Sequence, residues 1–193
     1  MSIRAERKTA TRARILEAAE SLIKDRGTEG ATVEAVMRRA GLTVGGFYAH
    51  FESKEALARE ALLAGVERSF ESLTNGLEAA TPPDFARVLI KRYLAQIESP
   101  ELEAACPLTL LLPEVARAQA PFRDAFSART GELVARVEHR FPAVDGMPPR
   151  DVALAVFAAL AGAVSFARAA STARGRRRIA AATEVSLHRL LGL

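Results

Sequence analysis

The chain has 193 residues, of which 49% are hydrophobic and 26% are charged. This is enough apolar material for one fairly large domain or two small ones with a real core, which excludes a disordered or fibrous protein. The 27 basic and 23 acidic residues give a net charge of only +4, which does not identify a partner. Five of the basic residues lie within residues 1–14 beside a single acidic one, so the N-terminal end is electropositive.

The cysteine content and the apolar runs indicate where the protein works. The single cysteine, Cys106, cannot form an internal disulfide, which favours a reducing compartment. The first residues lack the apolar segment of a signal peptide, so we expect a cytoplasmic protein. The longest apolar run, residues 152–167, is shorter than the roughly 20 residues that span a bilayer. It predicts a buried helix and no association with a membrane.

Apolar residues recur at intervals of three and four, and no segment alternates with period two, which predicts an all-α protein of about nine helices. We expect the first helix over residues 9–26, ending at Gly27. The second is expected over 32–40, starting from the N-cap residue Thr32, and a very short third helix follows over 45–51.

The longer helices come later in the chain. Ser53 is expected to cap a fourth helix that runs to about residue 77. Four prolines predict that residues 98–121 form short pieces, an irregular region where a pocket can form. The other helices are expected at about residues 83–97, 121–141, 149–170 and 176–191.

The short third helix has an unusual surface. Phe47 and Phe51 share one face and predict an anchor in the core. The opposite face is nearly bare and has hydrogen-bonding groups at its edges: Gly45, Gly46 and Ala49, flanked by Tyr48 and His50. Two glycines at a helix start cost helix propensity, which indicates that another body approaches the backbone there.

Two short helices joined by a turn containing glycine, after a longer helix and beside a basic arm, are typical of a helix-turn-helix DNA-binding domain. The N-terminal residues of the second short helix are then nearest the base edges of the major groove. Val44 can contact a thymine methyl group, and Thr43 can bond a base or a phosphate. The candidate DNA-binding residues are Arg12, Thr32, Thr43, Val44, Gly45, Gly46, Tyr48, His50 and Lys54.

The stretch from Thr32 to Leu57 resembles the TetR/AcrR family of transcriptional regulators, through its tyrosine, its His-Phe pair and its Ser-Lys-Glu after a Gly-Leu turn. The resemblance covers about residues 9–69. It implies an all-helical homodimer with a DNA-binding domain over 9–69, whose helix-turn-helix spans about 32–51. It also implies a ligand-binding and dimerisation domain over 70–193. In that family, positions matching residues 43–46 commonly face bases, and those matching Tyr48, His50 and Lys54 contact the DNA backbone.

Aromatic residues of the C-terminal half are candidates for a ligand cavity, and they are equally good core residues. With the lone cysteine, the set is Phe85, Tyr93, Cys106, Phe122, Phe126, Phe157 and Phe166. Cys106 is either a thiol sensor or a small buried hydrophobe. Residues 151–170 are rich in alanine and, with the last helix, suggest a four-helix dimer interface; the alternative is an intramolecular core.

The function that follows is a ligand-responsive repressor that binds a palindromic operator as a dimer, through the last two helices, and is released by an unidentified small molecule. Two alternatives stay open: a helical ligand-binding or adaptor protein without operator binding, and a repressor that senses oxidants or electrophiles through Cys106. The sequence holds no catalytic motif and no cluster of metal-ligating residues, so we expect neither an enzyme nor a metal or cofactor.

Overall fold

The computed structural model describes residues 3–99 and 107–193, and this part of the chain confirms the all-α prediction. Eight α-helices and two short 3₁₀ helices lie within it. The α-helices are α1 Ile3–Gly30, α2 Val33–Arg39, α3 Lys54–Thr74, α4 Pro82–Ala95, α5 Pro107–Arg117, α6 Ala120–Val137, α7 Pro149–Ala169 and α8 Ala173–Leu191. The 3₁₀ helices are Val44–Ala49 and Glu138–Arg140.

Helix α1 starts earlier than predicted and breaks where predicted. It begins at Ile3 rather than at residue 9, because the residues that precede Thr9 are good helix formers and Glu6 complements the positive end of the helix dipole. Gly27 has a φ of 71°, so the regular helix stops there and the chain turns before α2. The basic residues near the N-terminus therefore belong to a helix.

The predicted third helix is a 3₁₀ helix, Val44–Ala49. Its hydrogen bonds span three residues, as from the Gly46 N–H to the Thr43 carbonyl at 3.2 Å. The short length and the two adjacent glycines explain why an α-helix does not form. Phe47 and Phe51 are both buried, and their rings stack with centroids 5.9 Å apart.

Helix α3 runs as one piece from the N-terminal helices into the C-terminal half. The Ser53 hydroxyl caps its start by accepting a hydrogen bond from the Ala56 N–H at 3.1 Å. At its end, the Arg92 guanidinium donates to the carbonyls of Leu73 and Asn75 at 2.9 and 2.8 Å. These bonds satisfy carbonyl groups that a helix end leaves unpaired.

The prediction that prolines break residues 98–121 into short pieces is wrong for α5, which continues through Pro113. A proline inside a helix leaves the carbonyl four residues earlier without its N–H partner. Here that carbonyl belongs to Thr109, and it accepts a hydrogen bond from the Ser165 hydroxyl at 3.5 Å. The Thr109 side chain is buried and pairs with the Tyr93 hydroxyl at 3.0 Å. Contacts with α4 and α7 thus compensate for the proline.

Helix α7 is the central helix of the C-terminal half. Its 21 residues are long and apolar enough to cross a membrane by length and composition. One face is nevertheless packed inside the protein, because Val152, Val156, Leu160 and Val164 are at most 1% exposed. It contacts α4, α5, α6 and α8. The interpretation of residues 152–167 as a buried helix is therefore confirmed.

Candidate DNA-binding surface and ligand cavity

Residues 43–48 form an exposed surface on the N-terminal helices. Val44 is 43% exposed and Tyr48 is 74% exposed, which is unusual for large apolar or aromatic side chains. A Cβ atom at Gly45 would meet nothing within 4 Å, and one at Gly46 would be 3.8 Å from the Met37 Cε atom. Internal packing therefore requires neither glycine. The bare backbone leaves room for an external partner to approach closely.

The buried side of the same segment holds this surface in place. Phe47 has no exposed surface, and the Tyr48 ring packs edge-on against it with centroids 5.1 Å apart. The aromatic contact restrains the Tyr48 ring while leaving most of it open to solvent. Thr43 is exposed and its side chain makes no capping hydrogen bond. The segment therefore presents the Val44 methyl groups, the Thr43 hydroxyl and the Tyr48 phenol to solvent, while the buried Phe47 holds it in place.

Thr32 and Lys54 lie at the starts of α2 and α3. The Thr32 hydroxyl caps α2 by accepting a hydrogen bond from the Ala35 N–H at 3.2 Å. The Lys54 ammonium donates to the Glu29 carbonyl at 3.1 Å, so it also braces the turn that precedes α2. The pKa of Glu34 and that of Glu55 lie below their usual value, chiefly because each carboxylate accepts a hydrogen bond from its own backbone N–H.

Two other candidates are less open than the sequence suggested. The Arg12 guanidinium forms an ion pair with Glu60 and lies 4.6 Å from the centroid of the Phe51 ring. It braces α1 against α3 while its side chain stays 37% exposed, and its role as a DNA contact stays a prediction. His50 is half-buried, and its Nδ1 atom is buried without a hydrogen-bond partner among the described residues.

A contact between the two halves of the chain has no signal in the sequence. Glu114 of α5 accepts hydrogen bonds from the backbone N–H of Thr28 at 3.1 Å and from its hydroxyl at 2.5 Å. A Cβ atom at Gly27 would lie 2.8 Å from the Glu114 Oε1 atom, so the glycine permits this approach as well as its positive φ. We call this contact the Glu114 latch. The partners are 86 positions apart, and no local pattern connects them.

An apolar cavity of about 300 Å³ lies among helices α3 to α7. Its wall includes Phe70, Tyr93, Leu112, Phe126, Thr130 and Phe157. Three of the candidate ligand residues, Tyr93, Phe126 and Phe157, thus meet at one site.

The other candidate ligand residues lie elsewhere. Phe85 is buried against Phe141, with ring centroids 5.4 Å apart, and is a core residue. Phe122 lines a separate cavity of about 310 Å³ beside Glu114. Phe166 is 73% exposed on the outer face of α7, because its side chain points away from the core. Cys106 lies outside the described residues.

Fold and surface together define a helix-turn-helix protein with an all-helical C-terminal half. Residues 15–61 match the family model of the bacterial regulatory proteins of the tetR family. The regulator UidR of Escherichia coli K12 is 34% identical over 68 residues, which is 35% of each chain. The match spans about a third of the length of this curated relative.

Solved structures extend the likeness to nearly the whole chain. A TetR transcriptional regulator from Chloroflexus aurantiacus has a TM-score of 0.73 at 24% identity, covering 96% of this chain and 98% of its own. A transcriptional regulator from Saccharomonospora viridis, solved in complex with choline, has a TM-score of 0.73 at 17% identity, with coverages of 93% and 96%. These two likenesses show the fold. The match over residues 15–61 identifies the N-terminal part as a DNA-binding domain of the TetR family.

The roles of Lys54 and Val44 make a testable contrast. A phosphate contact has no sequence information, so Lys54→Ala should weaken binding about equally on all duplexes and lower the slope of log affinity against log salt by about one. Val44→Ala should instead reduce discrimination at one base pair by about 1 kcal/mol, because it removes methyl groups. Fluorescence anisotropy on duplexes selected from random sequence, over a salt series, measures both.

The matched control for this contrast is Lys91→Ala, which removes an exposed lysine from α4. Urea unfolding of each variant separates a loss of DNA contact from a loss of stability, since Lys54 also braces the turn at Glu29. The assignment is wrong if Val44→Ala weakens all duplexes equally, or if Lys54→Ala changes the preference at a single base pair.

Proposed function

We propose that the protein is a ligand-responsive transcriptional repressor that binds a near-palindromic operator as a dimer and is released by a small molecule. The observation that carries this proposal is the exposed segment 43–48, whose two glycines have no role in internal packing. The N-terminal residues of such a helix enter the major groove, which is about 12 Å wide. Arg7 and Lys8, both exposed on α1, supply positive charge for the phosphates. Because the proposed partner is chromosomal DNA, we propose that the protein acts in the cytoplasm.

We propose two domains: a DNA-binding domain over residues 9–69 and a ligand-binding and dimerisation domain over residues 70–193. The boundary falls within α3, which has no break between Lys54 and Thr74. Val66 and Phe70, near the C-terminal end of this helix, line the cavity. A displacement at the cavity therefore reaches the DNA-binding domain through a continuous helix.

A dimer through the last two helices is supported by apolar side chains on their outer faces. Phe166 and Leu154 of α7 are 73% and 46% exposed, and Val185 of α8 is 49% exposed. A Cβ atom at Gly162 would meet nothing within 4 Å, so a second helix has room to approach this face of α7. Two copies joined here supply the two heads that a palindromic operator requires.

The Glu114 latch gives the ligand signal a second route. Leu112 lines the cavity and Glu114, two positions later on α5, holds the turn that leads into α2. A compound that pushes Leu112 therefore displaces a helix that is bonded directly to the DNA-binding domain. We propose that α3 and the latch together change the separation of the two heads, so that they no longer fit the groove repeat.

The DNA-binding proposal is tested by selecting bound fragments of the source genome with the purified protein and footprinting those that are enriched. We expect a protected palindrome whose half-sites lie one helical turn or a small multiple apart, because each head occupies one major groove. A protein with Val44, Gly45 and Gly46 each replaced by aspartate is the control for non-specific capture. Enrichment no better than random DNA at moderate salt contradicts the proposal.

The dimer is tested by Phe166→Arg, which places a charge in the proposed apolar interface. We expect monomers by sedimentation equilibrium and a loss of affinity for the palindrome, while binding to a single half-site persists. Ala79→Arg adds the same charge at an exposed position in the loop after α3 and should leave the dimer intact. A dimer unaffected by Phe166→Arg would place the interface elsewhere.

The latch is tested without a ligand by a double-mutant cycle. Leu112→Phe places a larger side chain in the cavity wall and should weaken operator binding. In a protein that also carries Glu114→Ala, the loss of operator affinity caused by Leu112→Phe should be smaller, giving an interaction energy of about 0.5–3 kcal/mol. Ala161→Leu enlarges the α7 wall instead, and its effect on operator binding should be independent of Glu114. Additive effects of Leu112→Phe and Glu114→Ala would exclude the latch as a route of transmission.

A further inference from the structure

The wall of the cavity among α3 to α7 is almost entirely apolar. None of the described residues that line it is charged, and the only side-chain hydroxyls in its wall are those of Tyr93 and Thr130. Taking a charged group out of water costs several kcal/mol unless a counter-charge and hydrogen bonds compensate. The described wall supplies no counter-charge.

The hydroxyl groups of the wall already have partners inside the protein. The Thr130 hydroxyl donates to the Phe126 carbonyl of its own helix at 2.9 Å. The Tyr93 hydroxyl and the Thr109 hydroxyl form a buried pair at 3.0 Å. A strongly polar ligand would have to compete for these bonds, whereas an apolar ligand leaves them intact.

Aromatic side chains dominate the widest part of the wall: Phe70, Tyr93, Phe126 and Phe157. Such rings bind either apolar ring compounds or quaternary ammonium groups, which are attracted to the faces of aromatic rings. Here the Arg136 guanidinium already lies 4.6 Å from the centroid of the Phe70 ring. That guanidinium is paired with Glu67 and adds no net charge. The described wall itself has no carboxylate to balance a cation, so it favours a neutral occupant.

The cavity volume limits the size of the occupant. At about 300 Å³ it lies at the lower end of the range for ligand cavities, roughly 300–1,000 Å³. This corresponds to a compound with one ring and a short aliphatic substituent.

We infer that the effector of this protein is a small, uncharged, predominantly apolar compound that carries a ring. The inference rests on the proposed function in that it assigns the cavity as the effector site. It requires binding to the cavity whether or not DNA is present.

Two probes of the same shape test the sign of the charge. tert-Butylbenzene and trimethylphenylammonium differ in one atom, a quaternary carbon against a quaternary nitrogen. We expect saturable binding of tert-butylbenzene by the full chain, measured by titration calorimetry and by a rise in Tm, and binding of the ammonium probe at least tenfold weaker. 4-tert-Butylbenzoate, the anionic member of the series, should bind as weakly as the cation.

Site specificity is tested by Ala161→Leu, which fills the cavity from α7 and should lower the affinity for tert-butylbenzene at least tenfold. Ala135→Leu, the same change at an exposed position of α6, is the matched control and should retain the affinity. Equal or tighter binding of the ammonium probe overturns the inference. So does tert-butylbenzene binding that survives Ala161→Leu, or the absence of saturable binding.

These titrations contain no DNA, so their outcome is separate from that of the fragment selection. Selection of a palindrome by a protein that prefers the ammonium probe refutes the effector class and leaves the regulator intact. Binding of tert-butylbenzene by a protein that selects no DNA refutes the proposed function and supports the effector class.

Discussion

Phe47 has no exposed surface, and the outward-facing residues of the segment 43–48 depend on that burial. The 3₁₀ helix that carries them has six residues and two glycines, so its own hydrogen bonds contribute little stability. Burial of Phe47 in the core, together with the contact between this 3₁₀ helix and α2, supplies what the local sequence lacks. A surface nearly free of side chains is compatible with a defined shape only because a large aromatic anchor lies directly beneath it.

The C-terminal half is connected to the N-terminal helices at two separate points. Helix α3 carries the Arg12–Glu60 ion pair near its start and the cavity residues Val66 and Phe70 further along. The Glu114 latch joins α5 to the turn before α2. The placement of α5 in turn depends on Thr109, whose carbonyl and hydroxyl are both bonded to neighbouring helices.

The features that the sequence predicts well are those with a local cause. The break at Gly27 and the cap at Ser53 depend on residues within one turn of the helix they limit. The burial of one face of α7 follows from the apolar pattern of residues 152–167. The error at Pro113 arises where a distant residue decides the outcome: this proline lies inside a helix because Ser165 bonds the carbonyl that it leaves unpaired. The contacts of Arg12 with Glu60 and Phe51 likewise involve residues far along the chain.

The candidate site divides in the same way. The exposed surface over residues 43–48 is one continuous stretch of sequence, so a local motif can predict it. The cavity draws its wall from five helices, and only three of the aromatic candidates, Tyr93, Phe126 and Phe157, lie in it. An aromatic residue at a helical position is equally suited to core, cavity or exposed surface. Phe85 lies in the core, Phe157 lines the cavity, and Phe166 lies on the exposed face of α7. Which one occurs depends on how the helix is rotated in the packed structure, a quantity that no local pattern contains.

Helix α7 links the cavity to the proposed dimer interface. Leu154 lines the cavity and is also 46% exposed, on the same helix as the exposed Phe166. Ala158, one turn further along, lines the cavity and is exposed as well. A compound that fills the cavity therefore contacts side chains that a second copy would also contact. In the proposed dimer, occupancy of the cavity would therefore disturb the interface through this helix, since a packed interface tolerates little displacement.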